Sequence, residues 1–517
     1  MQGSRSLRRN APVRSGLGAP RSRRGVLVLA ACTLVVCGAG GAPPRALTDE
    51  EIYRNFQFNF INPGARALGM GGAFIAVADD PTTAQANPAG LDSLREPQVY
   101  FEYRGADQDD DTFESNLGSL AVDPNTAERD LPYLGLSSGT ETESLSAPTF
   151  ISFSWPFQLG ATNRRLTIAG SRLVQLDQDR SLPSSGETGA TFSFASFPLT
   201  VNGNNVESYA VQSTVQGDSS IRIVSYDVAA GLELHPDFSA GLTLSYATLD
   251  AEADSATHVL DPQGVIVSPG NPRLPSQPDA DVYATSADDT DSDLTYTVGI
   301  HWHPDSVYAT GVSPWNVAAV YRRGARFSVE QSASLNGVTI QELDNRIVVP
   351  DRFALGVSYA FLERWLIVAE YERVEYSDQL DGFEPGVNYL TSAGVAGGQL
   401  GISPADDIEF MVEDGDILRA GMEYVMPVGG EGSRLALRAG WYHTPDTRIR
   451  MTGFQSGDAD VDDTYLEAFP GGEAEDHFTA GVGFTLGRSV FSLGAEASDS
   501  GTQFVGSYTL VLERENR

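Results

Sequence analysis

The chain has 517 residues with 69 acidic against 34 basic side chains, a formal charge of −35, and every basic residue is arginine. A field of that sign repels phosphate backbones and excludes nucleic acid as a partner. Two cysteines in the whole chain exclude a disulfide-built scaffold, and the length allows two to four ordinary domains or one very large one.

Met1 to Arg24 carries seven arginines and no acid, and the apolar run GVLVLAACTLVVCGAG follows, then small residues and prolines. This is the layout of a secretory signal peptide cut near Ala39 to Ala42, and residues 1–40 are assigned to it. Two sub-readings stand beside it: Ser22-Arg23-Arg24 resembles a twin-arginine signal, and Leu29-Ala30-Ala31-Cys32 resembles a lipobox. Cys32 and Cys37 both fall inside, so the exported chain is left without disulfides or Cys-metal sites. Without the seven arginines, 27 basic residues face 69 acidic ones. That balance reads either as a surface that repels its neighbours or as Asp-rich loops in an arginine-biased chain.

Residues 64–91 read GARALGMGGAFIAVADDPTTAQANPAGL. A phosphate loop needs a lysine after its glycines, and there is none; a dinucleotide fingerprint needs a long helix, which Pro81 and Pro88 forbid. Asp80 before Pro81 and Asn87 before Pro88 each look like a helix N-cap with proline at the first helical position. The region 41–96 is therefore expected to be a compact, small-residue segment with one or two short helices. Gly69, Gly71 and Gly72 let its backbone approach something closely.

From residue 97 to 517 the chain shows repeated segments of about ten residues that alternate with period two. In LTYTVGIHW the outward set is Leu294, Tyr296, Val298, Ile300 and Trp302, and the inward set is Thr295, Thr297, Gly299 and His301. Fourteen such strands are expected, near 97–104, 147–156, 165–176, 219–233, 238–249, 292–303, 315–327, 352–361, 363–376, 416–427, 433–443, 476–486, 488–497 and 502–513, with room for another pair in 189–215. Connections alternate between long (105–146, 177–218, 250–291, 328–351, 377–415, 444–475) and short, with both termini on the short side. That asymmetry is the pattern of an all-β, transmembrane antiparallel barrel of an outer membrane. Trp155, Trp302, Trp315 and Trp365 fall near short turns, as an interfacial girdle would; Trp441 is near a long loop. Inward Arg419, Glu423, Arg434 and Arg438 are expected to face one another across the lumen as a holding network. A lumen this wide cannot be filled by wall side chains alone, so the segment 41–96 is expected to be its plug.

GARALGMGGAFIAVADD followed by NPAGL resembles the mature start of the FadL/TodX family of outer-membrane transporters for hydrophobic compounds, and of related PorV-type barrels. WLIVAEYERVEYSD, LRAGMEYV and LALRAGWYHTPDTR resemble the family's C-terminal half. The resemblance covers about a hundred residues. It implies a fourteen-stranded barrel with an N-terminal hatch, capture of an apolar ligand from outside, and sideways release through a gap in the wall. It also implies hatch roles for Gly69, Gly71, Gly72, Asp79, Asp80, Asn87, Pro88 and Ala89. The chain departs from outer-membrane habit at its end, where GSYTLVLERENR replaces a terminal aromatic.

Other clusters are weaker. The acidic runs at Asp107–Asp111, Asp288–Asp291 and Asp458–Asp463 are expected in outer loops; the last lacks the glycine and glutamate of a calcium loop. Of the six histidines only His301 and His303 share a metal-like spacing, read here as structural, and no metal or cofactor is expected. There is no G-x-S-x-G and no catalytic set, so no enzyme is expected. The function read from the sequence is passive uptake of a hydrophobic small molecule, by default a long-chain fatty acid, in contact with outer-membrane lipid. The alternative is a PorV-like scaffold that binds protein partners at its outer loops.

Overall fold

The computed structural model describes residues 58, 60–112, 139–160, 164–182, 191–196, 199–201, 204–206, 209–260, 280–307, 313–335, 338–381, 409–430, 432–453 and 472–513. The segment 1–40 read as a signal peptide and the acidic run 458–463 lie outside them.

Fourteen strands follow one another up and down: β1 (Gln98–Thr112), β2 (Gly139–Leu159), β3 (Arg164–Leu182), β4 (Tyr209–His235), β5 (Phe238–Leu260), β6 (Ala280–Trp302), β7 (Trp315–Arg322, resuming at Arg326–Leu335), β8 (Val338–Val348, resuming at Arg352–Phe361), β9 (Trp365–Val374), β10 (Gly415–Pro427), β11 (Arg434–Thr444), β12 (Glu475–Leu486), β13 (Ser489–Ala497) and β14 (Gly501–Val511). Each pairs antiparallel with the next. β14 returns to β1 from Gln98↔Val511 to Gln108↔Gly501, so the ring of strands closes on itself.

The period-two pattern is what places this wall in lipid. On β6 Leu294, Tyr296, Val298, Ile300 and Trp302 are exposed while Thr297 and His301 are buried. The nine residues from Leu294 to Trp302 are the length a tilted strand needs to cross a bilayer. Aromatic rings gather at the short-turn end, where the tilted rings of Trp315 and Tyr359 lie 4.2 Å apart and those of Trp365 and Tyr424 4.6 Å apart. No helix among the described residues is long and apolar enough to cross a membrane.

Several segments expected as loops are strand. β1 runs on to Thr112, β3 to Leu182, β5 to Leu260, β6 begins at Ala280, and 328–351 is mostly the far end of the β7–β8 hairpin. The wall is therefore taller than its lipid-facing band. Serine, threonine and acidic residues on both faces hide the alternation there, yet the backbone still bonds across. The region 189–215 adds a short strand, Thr191–Ser196, paired with β4, and a small hairpin, Leu199–Val201 with Asn204–Val206.

Ahead of β1, residues 60–96 fold inside the ring. They contain α1 (Ala65–Gly69), α2 (Thr83–Ala86) and a 3-10 helix, Pro88–Ser93. Leu68, Met70, Phe74, Ile75 and Leu91 are fully buried.

Candidate functional site

The interior segment seats on a belt of inward-facing wall glycines. A β-carbon at Gly231 or Gly241 would fall on Pro88, at Gly299 on the Asn87 side chain, at Gly356 on Ile75, at Gly421 on Met70 and at Gly440 on Gly71. Gly69 packs on Gly481 across β12. Gly71 and Gly72 have φ of 67° and 74°, the left-handed region that favours glycine, and turn the chain where it presses on β10 and β11. Gly71 N donates to Thr479 Oγ1 at 2.9 Å.

Asn87 is wholly buried and holds two turns together. Its Oδ1 accepts from Ala89 N at 3.1 Å as the cap of the 3-10 helix, with Pro88 at the first helical position. Its Nδ2 donates to Ile75 O at 2.9 Å. Asp80 Oδ1 accepts from Thr82 N at 2.9 Å and Thr82 Oγ1 at 2.6 Å, so it closes the turn ahead of α2, whose N-cap is Thr82 and not Asp80 as expected. Desolvation, opposed by the Arg66 guanidinium, pushes the Asp80 carboxyl up. Asp79 is exposed and pairs with Arg66.

The expected charge network divides differently from the sequence reading. Arg419, Glu423 and Arg438 do not meet across the lumen; they lie along one stretch of wall and reach inward. Glu423 and Arg438 are register partners on β10 and β11, bonded at 2.7 Å, and Glu423 also receives Arg66 of the interior segment at 2.8 Å. Arg419 pairs with Glu370 at 3.0 Å and Glu372 at 2.7 Å on β9. Arg434 lies at the short-turn end of β11 and is exposed to solvent, outside the network. Cross-strand neighbours are only about 5 Å apart, far closer than the two sides of the lumen.

Glu370 is the best-connected group of this set. It accepts from Phe74 N at 2.8 Å, Ile75 N at 3.1 Å and Asn62 Nδ2 at 3.3 Å. Glu372 also receives Arg322 at 3.2 Å, and Arg322 reaches Asn62 Oδ1 at 3.1 Å and the Ala86 carbonyl. On β1, Glu102 accepts from Gly64 N and from Thr149 Oγ1 at 2.7 Å. Glu102, Glu370, Glu372 and Arg322 are not singled out by the sequence reading. The signal was present: each is a charge at the inward phase of a cleanly alternating strand, as in VYFEYRG.

Above this seat the lumen is apolar on one side. Ile221, Ile223, Leu249, Phe327, Val329 and Ile347 form a buried cluster extended by Phe58 and Phe60. Next to it is a cavity of about 670 Å³ bounded by Phe58, Phe60, Tyr376 and Ile417. Burial pushes the Tyr376 phenol up. The far side of the cavity is acidic: Asp107, Asp446, Glu473, Glu475, Glu496 and Asp499, against Arg419 and Arg448.

The wall beside the apolar cluster has a seam. Backbone register between β6 and β7 runs from Val317↔Trp302 to Arg322↔Thr297 and resumes only at Ser332↔Ser286. Between those runs, side chains join the strands. Asp293 Oδ2 accepts from Arg326 N at 3.0 Å, Asp291 Oδ2 from Ser328 N at 2.7 Å and Asp289 Oδ2 from Glu330 N at 2.9 Å. The other oxygen of each binds the next amide of its own strand, at 2.7–2.8 Å. Part of the acidic run expected in a loop is thus strand, and its carboxylates replace a ladder. The seam lies just beyond Leu294, at the outer edge of the lipid-facing band.

No protein-family model and no curated protein matches the chain. Similar solved structures include a Pseudomonas aeruginosa FadL homologue, 12% identical over 89% of this chain and 99% of that one, with a TM-score of 0.52. The CymD monoaromatic hydrocarbon channel (14% identical, 89% and 100% covered, TM-score 0.48) and the Ralstonia pickettii toluene transporter TbuX (13%, 88% and 100%, 0.47) are also similar. The likeness to the P. aeruginosa protein establishes the fold: this chain is built as a closed fourteen-stranded barrel of the FadL type.

Proposed function

We propose that the protein carries hydrophobic molecules passively across an outer membrane, with residues 60–96 as a displaceable plug. The observation that supports this reading is the apolar lumen lining above the plug, set beside a wall seam that lacks its backbone ladder. A ligand desolvates against Phe327, Val329 and the neighbouring cluster, the plug shifts, and diffusion does the rest. The wall gap that the resemblance implies corresponds in this reading to the β6–β7 seam.

The resemblance makes long-chain fatty acids the default ligand. The charge of the cavity argues instead for uncharged hydrophobic molecules. Six carboxylates face two arginines, and Arg419 is already held by Glu370 and Glu372. A fatty carboxylate entering there meets like charge at short range.

A specific observation favours the scaffold alternative. The plug is fastened by two buried Arg–Glu clusters, as in a lumen meant to stay shut. Native mass spectrometry on gently extracted protein separates the readings. A retained apolar small molecule, displaced by added hydrocarbon or fatty acid, supports transport; an empty barrel bound to another protein supports the scaffold.

A further inference from the structure

Asp92, His301 and His303 come together from two different parts of the molecule. His301 and His303 are two residues apart on and just past β6, so both point into the lumen. Asp92 is brought to them by the 3-10 helix that Asn87 and Pro88 start. Their ligating atoms all lie within 4.8 Å of one another.

Three features of this cluster suit a bound cation. His301 is only 5% exposed, and neither of its ring nitrogens meets a hydrogen-bond partner within ordinary geometry among the described residues. The Ala76 carbonyl lies beside the ring and accepts from Ser358 Oγ at 3.1 Å. A buried imidazole with both nitrogens unused is an exception among native side chains. Second, His303 Nε2 is 3.6 Å from Asp92 Oδ2. That is too long for a hydrogen bond and close to the ~3.3 Å that separates two ligand atoms on a tetrahedral zinc. Third, the opposite ring nitrogen of His303 faces Asp305 Oδ2 at 3.5 Å. A carboxylate behind a ligating imidazole is the usual device for setting its tautomer and orientation.

We propose that Asp92, His301 and His303 bind a divalent transition cation, with zinc the best match, and that the ion fastens the plug to the barrel wall. Two imidazoles and one carboxylate suit a borderline cation of this kind, whereas magnesium and calcium take oxygen ligands. Three protein ligands leave a fourth position for water. Because one ligand belongs to the plug and two to the wall, the complete set exists only when the plug is seated. An ion that binds only the seated state holds it there by mass action, about 100-fold more firmly when free metal is 100 times its dissociation constant. The assignment replaces the structural reading of the His301–His303 spacing. Only its effect on permeation rests on the transport reading; the binding site does not.

The test uses the full chain in detergent, stripped with EDTA and dialysed free of it. Titration with zinc chloride, read by calorimetry and elemental analysis, is expected to give one tight zinc per chain. His301→Ala and His303→Ala are expected to abolish that equivalent, with heat-modifiable gel migration showing that the barrel is folded. Asp305→Asn, which touches no metal, is expected to weaken binding by about 10–100-fold without abolishing it. Cobalt bound in place of zinc should show the intense visible bands of a four-coordinate site. Absence of a tight equivalent, or one that survives in a folded His301→Ala/His303→Ala protein, overturns the proposal. A zinc site confirmed in a barrel that retains no apolar ligand would leave the proposal standing and count against transport alone.

Discussion

Replacing Glu370 with alanine should unseat the plug while leaving the barrel closed. The change strips the acceptor from two buried amides, Phe74 N and Ile75 N. Each unsatisfied amide costs about 1–3 kcal/mol. Arg419 loses one carboxylate but keeps Glu372 at 2.7 Å, so this part falls below the roughly 3–5 kcal/mol of a fully broken buried pair. The two amides contribute roughly 2–6 kcal/mol and the arginine about 1 kcal/mol more, roughly 3–7 kcal/mol against the seated plug. At about 1.4 kcal/mol per tenfold, the unseated population rises by about 10²–10⁵. Hydrogen exchange read by mass spectrometry should show protection of the segment around Phe74 and Ile75 falling by that factor, and planar bilayers should show new ion conductance. Glu370→Gln keeps one acceptor oxygen and should fall between the variant and the parent. Unchanged protection and unchanged conductance in a Glu370→Ala barrel that migrates as folded would refute the idea that this carboxylate holds the plug.

Gly241→Val puts a side chain on the Pro88–Ala89 peptide, an overpacking that costs about 1–3 kcal/mol or more. The plug should then become susceptible to protease; resistance equal to the parent's would show that the glycine belt is not a seat. Asp291→Ala removes the acceptor shared by Ser328 N and Ser292 N, so the β6–β7 seam should loosen and uptake of an apolar fluorophore into proteoliposomes should quicken. A rate equal to the parent's would place the ligand route elsewhere. Asp414 accepts from Ser377 Oγ at 2.6 Å and Ser377 N at 3.1 Å, which holds its carboxyl below the usual 3.8. Its stabilising effect is present above that unfolded value and is lost as pH falls through the folded one. The stability gap between parent and Asp414→Asn should therefore shrink as pH falls from about 5 to below the unfolded value of 3.8; a gap that does not change with pH would contradict this.

The sequence by itself determined the wall. Alternation is a local property with a period of two residues, so LTYTVGIHW and HFTAGVGFTL declare their lipid and lumen faces without any partner. The short and long connections then order the strands. Asn87-Pro88 and the glycines after Leu68 mark a tight, helix-poor segment for the same local reason. What the sequence could not show is which wall group meets which part of that segment. Phe74 and Glu370 stand 296 positions apart and become neighbours only once β14 has paired with β1 and the ring has closed around the plug. The same closure turns Arg419 toward Glu370 instead of across the lumen, leaves Arg434 in solvent, and brings Asp92 to His301 and His303. It also decides that Asp289 and Asp291 join Asp293 in replacing a ladder instead of lining a loop. Separation between strands depends on how far the wall bends, a property of the whole ring that no single strand encodes.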